Sequence, residues 1–351
     1  MGVSVLPEAD AALQPVPLVD LRGGGPAGYA RQWPARVEAV RAACLGWLPA
    51  GRLMARVADP LVRRWMRRSG SAYVGDIEAI AGAVPGPGTW LLHGAYLFGC
   101  TALIDLGAQG PRLRRTLDWP FPGLGRLVEV ARQRGPAGDY LNVTWPGFAG
   151  VLTAVAPGRF AAAINQAPLR RRTTADWLRW TDYAINAAGA LAGSRRELPD
   201  HLLRRVFETC ATFEQARDLL RTAPVARPVL FTLVGTRRDE LALIEREETT
   251  ARLFPNIAAV ANNWHDEQRG WEGRVCGTGQ PAENNRRRQA ALDAWAGQDG
   301  TALGWAKPPV INPFTRLTTE LCATTGALRV AGWEAGGDAA IRVTRVLQVD
   351  A

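Results

Sequence analysis

The sequence predicts an α+β fold, with helices gathered near the start and in the middle and short strands filling the rest. Three observations carry this. Residues 34–84 repeat apolar side chains at helical spacing until Pro85-Gly86-Pro87-Gly88 stops them. Residues 100–168 break into short apolar runs bounded by Gly or Pro, the pattern of strands and turns. Residues 173–221 return to helical spacing, and strand-like runs dominate from there to the end.

In chain order, residues 1–30 are rich in Pro and Gly and read as a surface wrap, with one short strand at 17–21. Val37, Val40, Cys44 and Leu48 share a helix face, and Leu53, Val57, Leu61 and Trp65 continue it. Thr89-Trp90-Leu91-Leu92 reads as a strand leading to Cys100. Strands are expected at 127–132, 140–144, 150–155 and 160–165, and helices from 173, 199 and 213. Strand patterns return at 229–234, 240–245 and 257–262. A helix spans 284–295, and closing strands cover 315–321, 327–333 and 340–347.

Composition narrows the function. At 351 residues and 47% hydrophobic content, the chain supports one or two domains with a real core. The net charge of +9 is carried by arginine, since Lys307 is the one lysine. No basic block interleaved with aromatics marks a nucleic-acid surface, so no nucleic-acid partner is expected. The start lacks a basic n-region and an apolar h-region, and no window of 18 apolar residues exists, so neither a signal peptide nor a membrane span is expected. Five cysteines (Cys44, Cys100, Cys210, Cys276, Cys322) are odd in number and irregular in spacing. That argues against a disulfide framework and offers no metal-ligand pattern. A reducing, cytoplasmic setting with no metal and no cofactor is the expectation.

The chemistry centres on Cys100. If residues 100–106 and 112–118 form a hairpin across the turn at 107–110, Arg115 and Asp118 return beside Cys100. A thiol needs a base or a lowered pKa to attack an amide. The three histidines, His93, His201 and His265, stand in no Cys/His motif. Cleavage of Gly99–Cys100 would supply another base, the new α-amine, with a reference pKa of about 7.7–8.0. Gly99, without a side chain, suits the close approach of the thiol to its carbonyl.

The runs Cys100-Thr101-Ala102-Leu103-Ile104 and Arg115-Thr116-Leu117-Asp118-Trp119 resemble the acid ceramidase and N-acylethanolamine acid amidase family of N-terminal-nucleophile hydrolases. Penicillin V acylase and bile salt hydrolase look like more distant relatives. The family pattern is Cys-Thr-Ser-Ile, then Gly-Arg-Asn-Leu-Asp-Tyr; this chain has Arg114 for the glycine and Thr116 for the asparagine. The resemblance extends from about residue 17 to 333. It implies a four-layer αββα sandwich with antiparallel sheets, a helical segment at 1–99 ending at the cleavage site, and a catalytic core at 100–351.

The resemblance also implies roles. Cys100 is the nucleophile, Asp118 holds the α-amine, and Arg115 supports the thiolate. Asn165, in Asn165-Gln166-Ala167-Pro168, and Asn263, before Trp264, match asparagines at the oxyanion site. One of Arg286, Arg287 and Arg288 matches an active-site arginine, with Arg287 carried as the candidate. Trp119, Trp145 and Trp264 are candidates for an acyl pocket. The implied substrate is a small-molecule N-acyl amide, an N-acyl lipid such as a ceramide or N-acylethanolamine first, with peripheral membrane contact as an option. The implied product of self-cleavage is an α/β heterodimer. An acyltransferase, a penicillin or bile-salt acylase, and an uncut lipid-binding homologue are the alternatives.

Overall fold

A computed structural model describes residues 2–5, 12–95, 99–173, 175–192, 195–256, 258–274 and 280–350. The N-terminal third runs β1 (Gly2–Val5), β2 (Leu18–Asp20), α1 (Gly25–Gln32), α2 (Pro34–Trp47), α3 (Gly51–Arg68), α4 (Val74–Ala83) and α5 (Thr89–Gly94). The hairpin β3 (Gly99–Gly107) and β4 (Gly110–Asp118) follows, then β5 (Glu129–Gly135), β6 (Gly138–Thr144), β7 (Thr153–Ala156), β8 (Phe160–Gln166) and β9 (Leu169–Arg170). Next come α6 (Arg179–Ala192), α7 (Pro199–Thr209) and α8 (Phe213–Thr222). Strands β10 (Val229–Val234), β11 (Leu241–Arg246), β12 (Ala251–Pro255), β13 (Ala259–Val260) and β14 (Trp271–Glu272) precede α9 (Pro281–Asp293). The chain closes with β15 (Thr315–Cys322), β16 (Ala327–Gly336), β17 (Ala339–Arg342) and β18 (Leu347–Asp350).

Two large sheets form. One has the order β1-β18-β16-β15-β4-β3-β13, with β17 on β16. The other has the order β12-β11-β10-β8-β7-β6-β5-β2, antiparallel throughout except where β2 lies parallel to β5. The sheets stack, with β3 and β4 against β8 and β10, and β15 against β7 and β8. Helices α7 and α8 cover the outer face of the second sheet, and α9 covers β3 and β13 of the first. This is the four-layer αββα sandwich that the resemblance implies. Nearly every residue of β3 is buried because one face meets the second sheet and the other meets α9. That is why its sequence reads as a continuous apolar run rather than an alternation. The N-terminal segment supplies a strand to each sheet, β1 against β18 and β2 against β5.

The structure departs from the sequence reading in several places. Residues 89–94 form helix α5, not a strand. The carboxylate of Asp59 accepts hydrogen bonds from the backbone amides of Gly88 (2.6 Å) and Leu91 (2.8 Å), which satisfies N–H groups at the helix start. Leu97 and Phe98, which precede Gly99–Cys100 in the sequence, lie outside the described residues. Helix α1 replaces part of the expected wrap. In α3, Trp65 and Met66 are buried, but Leu53, Val57 and Leu61 face outward, 62%, 65% and 59% exposed. Strand β12 was missed, and β13 is two residues long. No helix among the described residues is long and apolar enough to cross a membrane.

Candidate active site

The expected hairpin forms, and its register pairs Cys100 with Leu117, Ala102 with Arg115, and Gly99 with Asp118. Directly paired residues share a face, so Cys100 and Arg115 both point between the sheets. Gly99 and Asp118 pair at the end of the hairpin. Asp118 is buried and lies on the α9 side, where it meets Arg288.

Arg115 Nη2 lies 3.0 Å from Cys100 Sγ. The same guanidinium donates to the Leu152 and Ile164 carbonyls and to the Thr153 hydroxyl, so β7 and β8 clamp it in place. The thiol also lies 3.6 Å from the Ile164 carbonyl, and the backbone amide of Gln166 faces it. Burial pushes the thiol pKa up, while the Arg115 charge and hydrogen bond pull it down and Asp118 adds to the rise. Thr101 and Thr116, paired across the opposite face, join their hydroxyls at 2.8 Å.

The backbone of Cys100 is held from the α9 side. Its amide donates to Asn262 Oδ1 at 2.8 Å, and its carbonyl accepts from Arg288 Nη1 at 3.0 Å. Arg288 also reaches Asp118 (3.4 Å), Asn285 Oδ1 (2.7 Å) and Asn262 Oδ1 (3.3 Å), and its Nε donates to Asn284 Oδ1 at 3.0 Å. Asp118 takes a further bond from the Thr315 hydroxyl at 2.8 Å. Asn262 is fixed in turn, through its Nδ2 to the Gln166 carbonyl and its amide to Asn285 Oδ1. A buried polar group of this density persists only when its members are mutually bonded.

Several expected residues sit elsewhere. Arg287 is exposed; Arg288 is the arginine at Cys100. The buried positions of α9 are Pro281, Asn285, Arg288 and Leu292, one helical face, and Arg287 falls off it. Asn263 turns its Nδ2 to its own neighbour's carbonyl at Trp264, 3.0 Å away, and Asn262 takes the place beside Cys100. Asn165 is buried next to the contact residue Ile164. Its Nδ2 donates to the Ala261 carbonyl at 3.1 Å, and its Oδ1 has no hydrogen-bond partner among the described residues. Trp119 and Trp145 meet edge to face at 5.0 Å and line a narrow, mostly apolar cavity with Phe148 and Leu92. Trp264 instead packs on Trp271 at 5.1 Å, with the Arg252 guanidinium over its ring. A larger cavity of about 580 Å³ has Gln166 in its lining. Among the described residues, no group of His, Cys, Asp and Glu side chains is placed to hold a metal.

Asn285 and Thr315 were missed as well. The signal for Asn285 was present: it lies three residues before Arg288 on a helix whose buried face is legible from Leu292. Thr315 carried no local signal, because it reaches Asp118 only through the pairing of β15 with β4.

No family model matches the chain, and no curated protein matches it. Solved structures do. A Caenorhabditis elegans N-acylethanolamine-hydrolyzing acid amidase ortholog is 18% identical with a TM-score of 0.49, covering 64% of this chain and 93% of that one. A point mutant of conjugated bile acid hydrolase from Clostridium perfringens is 10% identical with a TM-score of 0.41, covering 71% and 96%. Penicillin V acylase from Agrobacterium tumefaciens is 13% identical with a TM-score of 0.40, covering 66% and 83%. These are the groups to which the sequence resemblance points. Likeness at this level decides nothing about chemistry, and the layer order rests on the strand pairings of this chain.

Proposed function

We propose that the protein is a cysteine N-terminal-nucleophile amidase. The observation that carries the reading is a buried thiol 3.0 Å from a clamped guanidinium, on a residue whose own amide nitrogen is held at 2.8 Å by Asn262. That nitrogen becomes the α-amine once Gly99–Cys100 is cut, so nucleophile and base belong to one residue. In the structure the two residues are consecutive in β3. Self-cleavage begins with attack of Cys100 Sγ on the Gly99 carbonyl. The C–N bond breaks, the nitrogen takes up the proton lost by the thiol and leaves as the α-amine, and water hydrolyses the thioester to a Gly99 carboxylate, returning the thiol. The same chemistry then runs on substrate. The α-amine takes the thiol proton, the sulfur adds to the amide carbonyl, and the proton passes to the leaving amine as the C–N bond breaks. Water resolves the acyl-thioester.

In this reading Arg115 stabilises the thiolate, Asn262 and Asp118 hold the amine, and Arg288 fixes those two side chains and the Cys100 carbonyl. Asn165 is the candidate oxyanion donor, where losing one donor costs roughly 3–4 kcal/mol. The products are residues 1–99 and 100–351, kept together as an α/β heterodimer by β1 and β2. The substrate class is N-acyl amides with a lipid acyl chain. Contact with an anionic membrane surface is supported by α3, whose exposed Leu53, Met54, Val57 and Leu61 are flanked by exposed Arg52, Arg56 and Arg64. A reducing cytoplasm fits the four free cysteines among the described residues. The test is incubation with an activated N-acyl probe. An acyl adduct at Cys100 that hydroxylamine removes supports the amidase. Stoichiometric lipid binding that survives Cys100→Ala, with no adduct, contradicts it.

A further inference from the structure

The cavity that Gln166 helps to line has a wall chemistry the reaction above does not explain. Five arginines line it, Arg170, Arg172, Arg196, Arg227 and Arg274. The one carboxylate among its lining residues is Glu248, which Arg170 already holds at 3.1 Å. Behind the lining, Glu247 also pairs with Arg170 at 3.0 Å and Asp182 lies 4.0 Å from Arg172, yet the lining itself carries more positive than negative groups, and it includes Gln166, the residue whose backbone amide faces the Cys100 thiol.

Arg274 touches the residue next to Gln166. Its Nε donates to the carbonyl of Ala167, the residue after Gln166, at 3.2 Å, and its guanidinium sits 5.6 Å from the Tyr183 ring. Burial lowers its pKa, with Tyr183 and Glu272 opposing and the like charge of Arg227 adding to the fall. A desolvated cation beside a second cation is a place that a bound anion stabilises. Arg227 donates to the Gly94 carbonyl at 3.1 Å and lies over the Trp65 ring at 5.4 Å. The rest of the wall is largely apolar, with Val62, Trp65 and Ile185 contributing. Such a cavity suits a molecule with an apolar stem and an anionic end, since planar guanidiniums bind carboxylate, sulfonate and phosphate oxygens in pairs.

We propose that this cavity receives an anionic group carried by the amide substrate, so that anionic N-acyl amides, not neutral ones, are the preferred substrates. This rests on the amidase reading above. The anion is borne either by the leaving amine or by the acyl chain, and the probes separate the two.

The experiment compares N-lauroylethanolamine, N-lauroylglycine and the mono-ethanolamide of dodecanedioic acid on the wild-type protein and on Arg274→Gln, Arg227→Gln and the double variant. The readout is the ratio of kcat/KM for each anionic probe to that for the neutral one. Wild type should favour an anionic probe, and the double variant should lose that ratio by about 10- to 100-fold, the range for hydrogen bonds to a charge. Arg274→Lys should restore part of it, and added salt should weaken it. Preference for N-lauroylglycine places the anion on the leaving amine; preference for the diacid amide places it on the acyl chain. A neutral preference in wild type, or a ratio the variants leave unmoved, overturns the proposal. If a variant fails to fold, Arg196→Gln on the same wall takes its place. If no probe is turned over, the amidase reading fails, and calorimetry decides the cavity alone. Tighter wild-type binding of N-lauroylglycine than of N-lauroylethanolamine, lost in the double variant, upholds the anion site; equal binding overturns it.

Discussion

Replacing Arg288 by glutamine removes the guanidinium that ties α9 to the Cys100 strand, and the structure sets the size of the effect. Arg288 is fully buried and bonds the Cys100 carbonyl, Asp118, and the oxygens of Asn285, Asn262 and Asn284. Removing one partner of a buried ion pair costs about 3–5 kcal/mol. Thr315 still donates to Asp118, which argues for the lower half of that range. The unfolding entropy of about 2.1 cal/mol/K per residue gives about 0.7 kcal/mol per degree for a chain of this length, so a cost of about 3–4 kcal/mol should lower the melting temperature by about 4–6 °C. The measurement is thermal unfolding in a Cys100→Ala background, so that cleavage of the chain does not enter. Arg287→Gln is the control: the residue is exposed, and its change should stay within about 0.5 kcal/mol. In the Cys100-containing protein, Arg288→Gln should also slow the appearance of cleaved chains, whereas Arg287→Gln should not. Equal effects of the two substitutions would refute the placement of Arg288 at the site.

Further predictions follow from the same geometry. Asn262→Ala should leave the Cys100 amide and the Gln166 carbonyl without their partner and impair cleavage, whereas Asn263→Ala should leave cleavage near wild type; intact mass against time separates them. Changing Leu53, Val57 and Leu61 together to serine should abolish sedimentation with anionic vesicles while moving stability by less than about 1 kcal/mol, because all three are exposed; co-sedimentation and thermal unfolding read the two effects. Glu129 is raised to about 7 by burial, against the Tyr29 hydrogen bond and Arg36. Its folded pKa lies above its unfolded value, so the folded state holds a proton that the unfolded state releases. Wild-type stability should therefore fall as pH rises from about 4.5 to 7, by up to about 3 kcal/mol from this group. Glu129→Gln should remove that slope in urea titrations; an unchanged slope would contradict it.

Much of the site was legible because its parts are close in sequence or carry a periodic signal. The hairpin of Cys100, Arg115 and Asp118 followed from a turn flanked by apolar runs, and the structure supplies its register. Asn165 followed from the resemblance alone. The choice within 286–288, and the placing of the asparagine at 263 where the structure has Asn262, depended on which residue faces inward. For α9 the answer lay in the spacing of Asn285, Arg288 and Leu292, which outranks position within a run of arginines. For Asn262 there was no periodic signal, since β13 is two residues long and ends before it. Helix α5 was not legible, because a short apolar run fits strand or helix equally and its start is fixed by Asp59, about thirty residues earlier. The outward face of α3 was unreadable for a different reason: helical spacing shows that an apolar stripe exists, not what covers it.

The central claim is that Cys100 becomes an N-terminal residue, and intact-mass spectrometry of the purified protein beside its Cys100→Ala variant tests it most directly. The account predicts two fragments meeting at Gly99–Cys100 in the wild type, co-eluting as one species because β1 and β2 remain paired in the two sheets, and a single chain in the variant. One uncut chain in both, across neutral and acidic pH, would contradict it, since Cys100 would then have no α-amine to act as base.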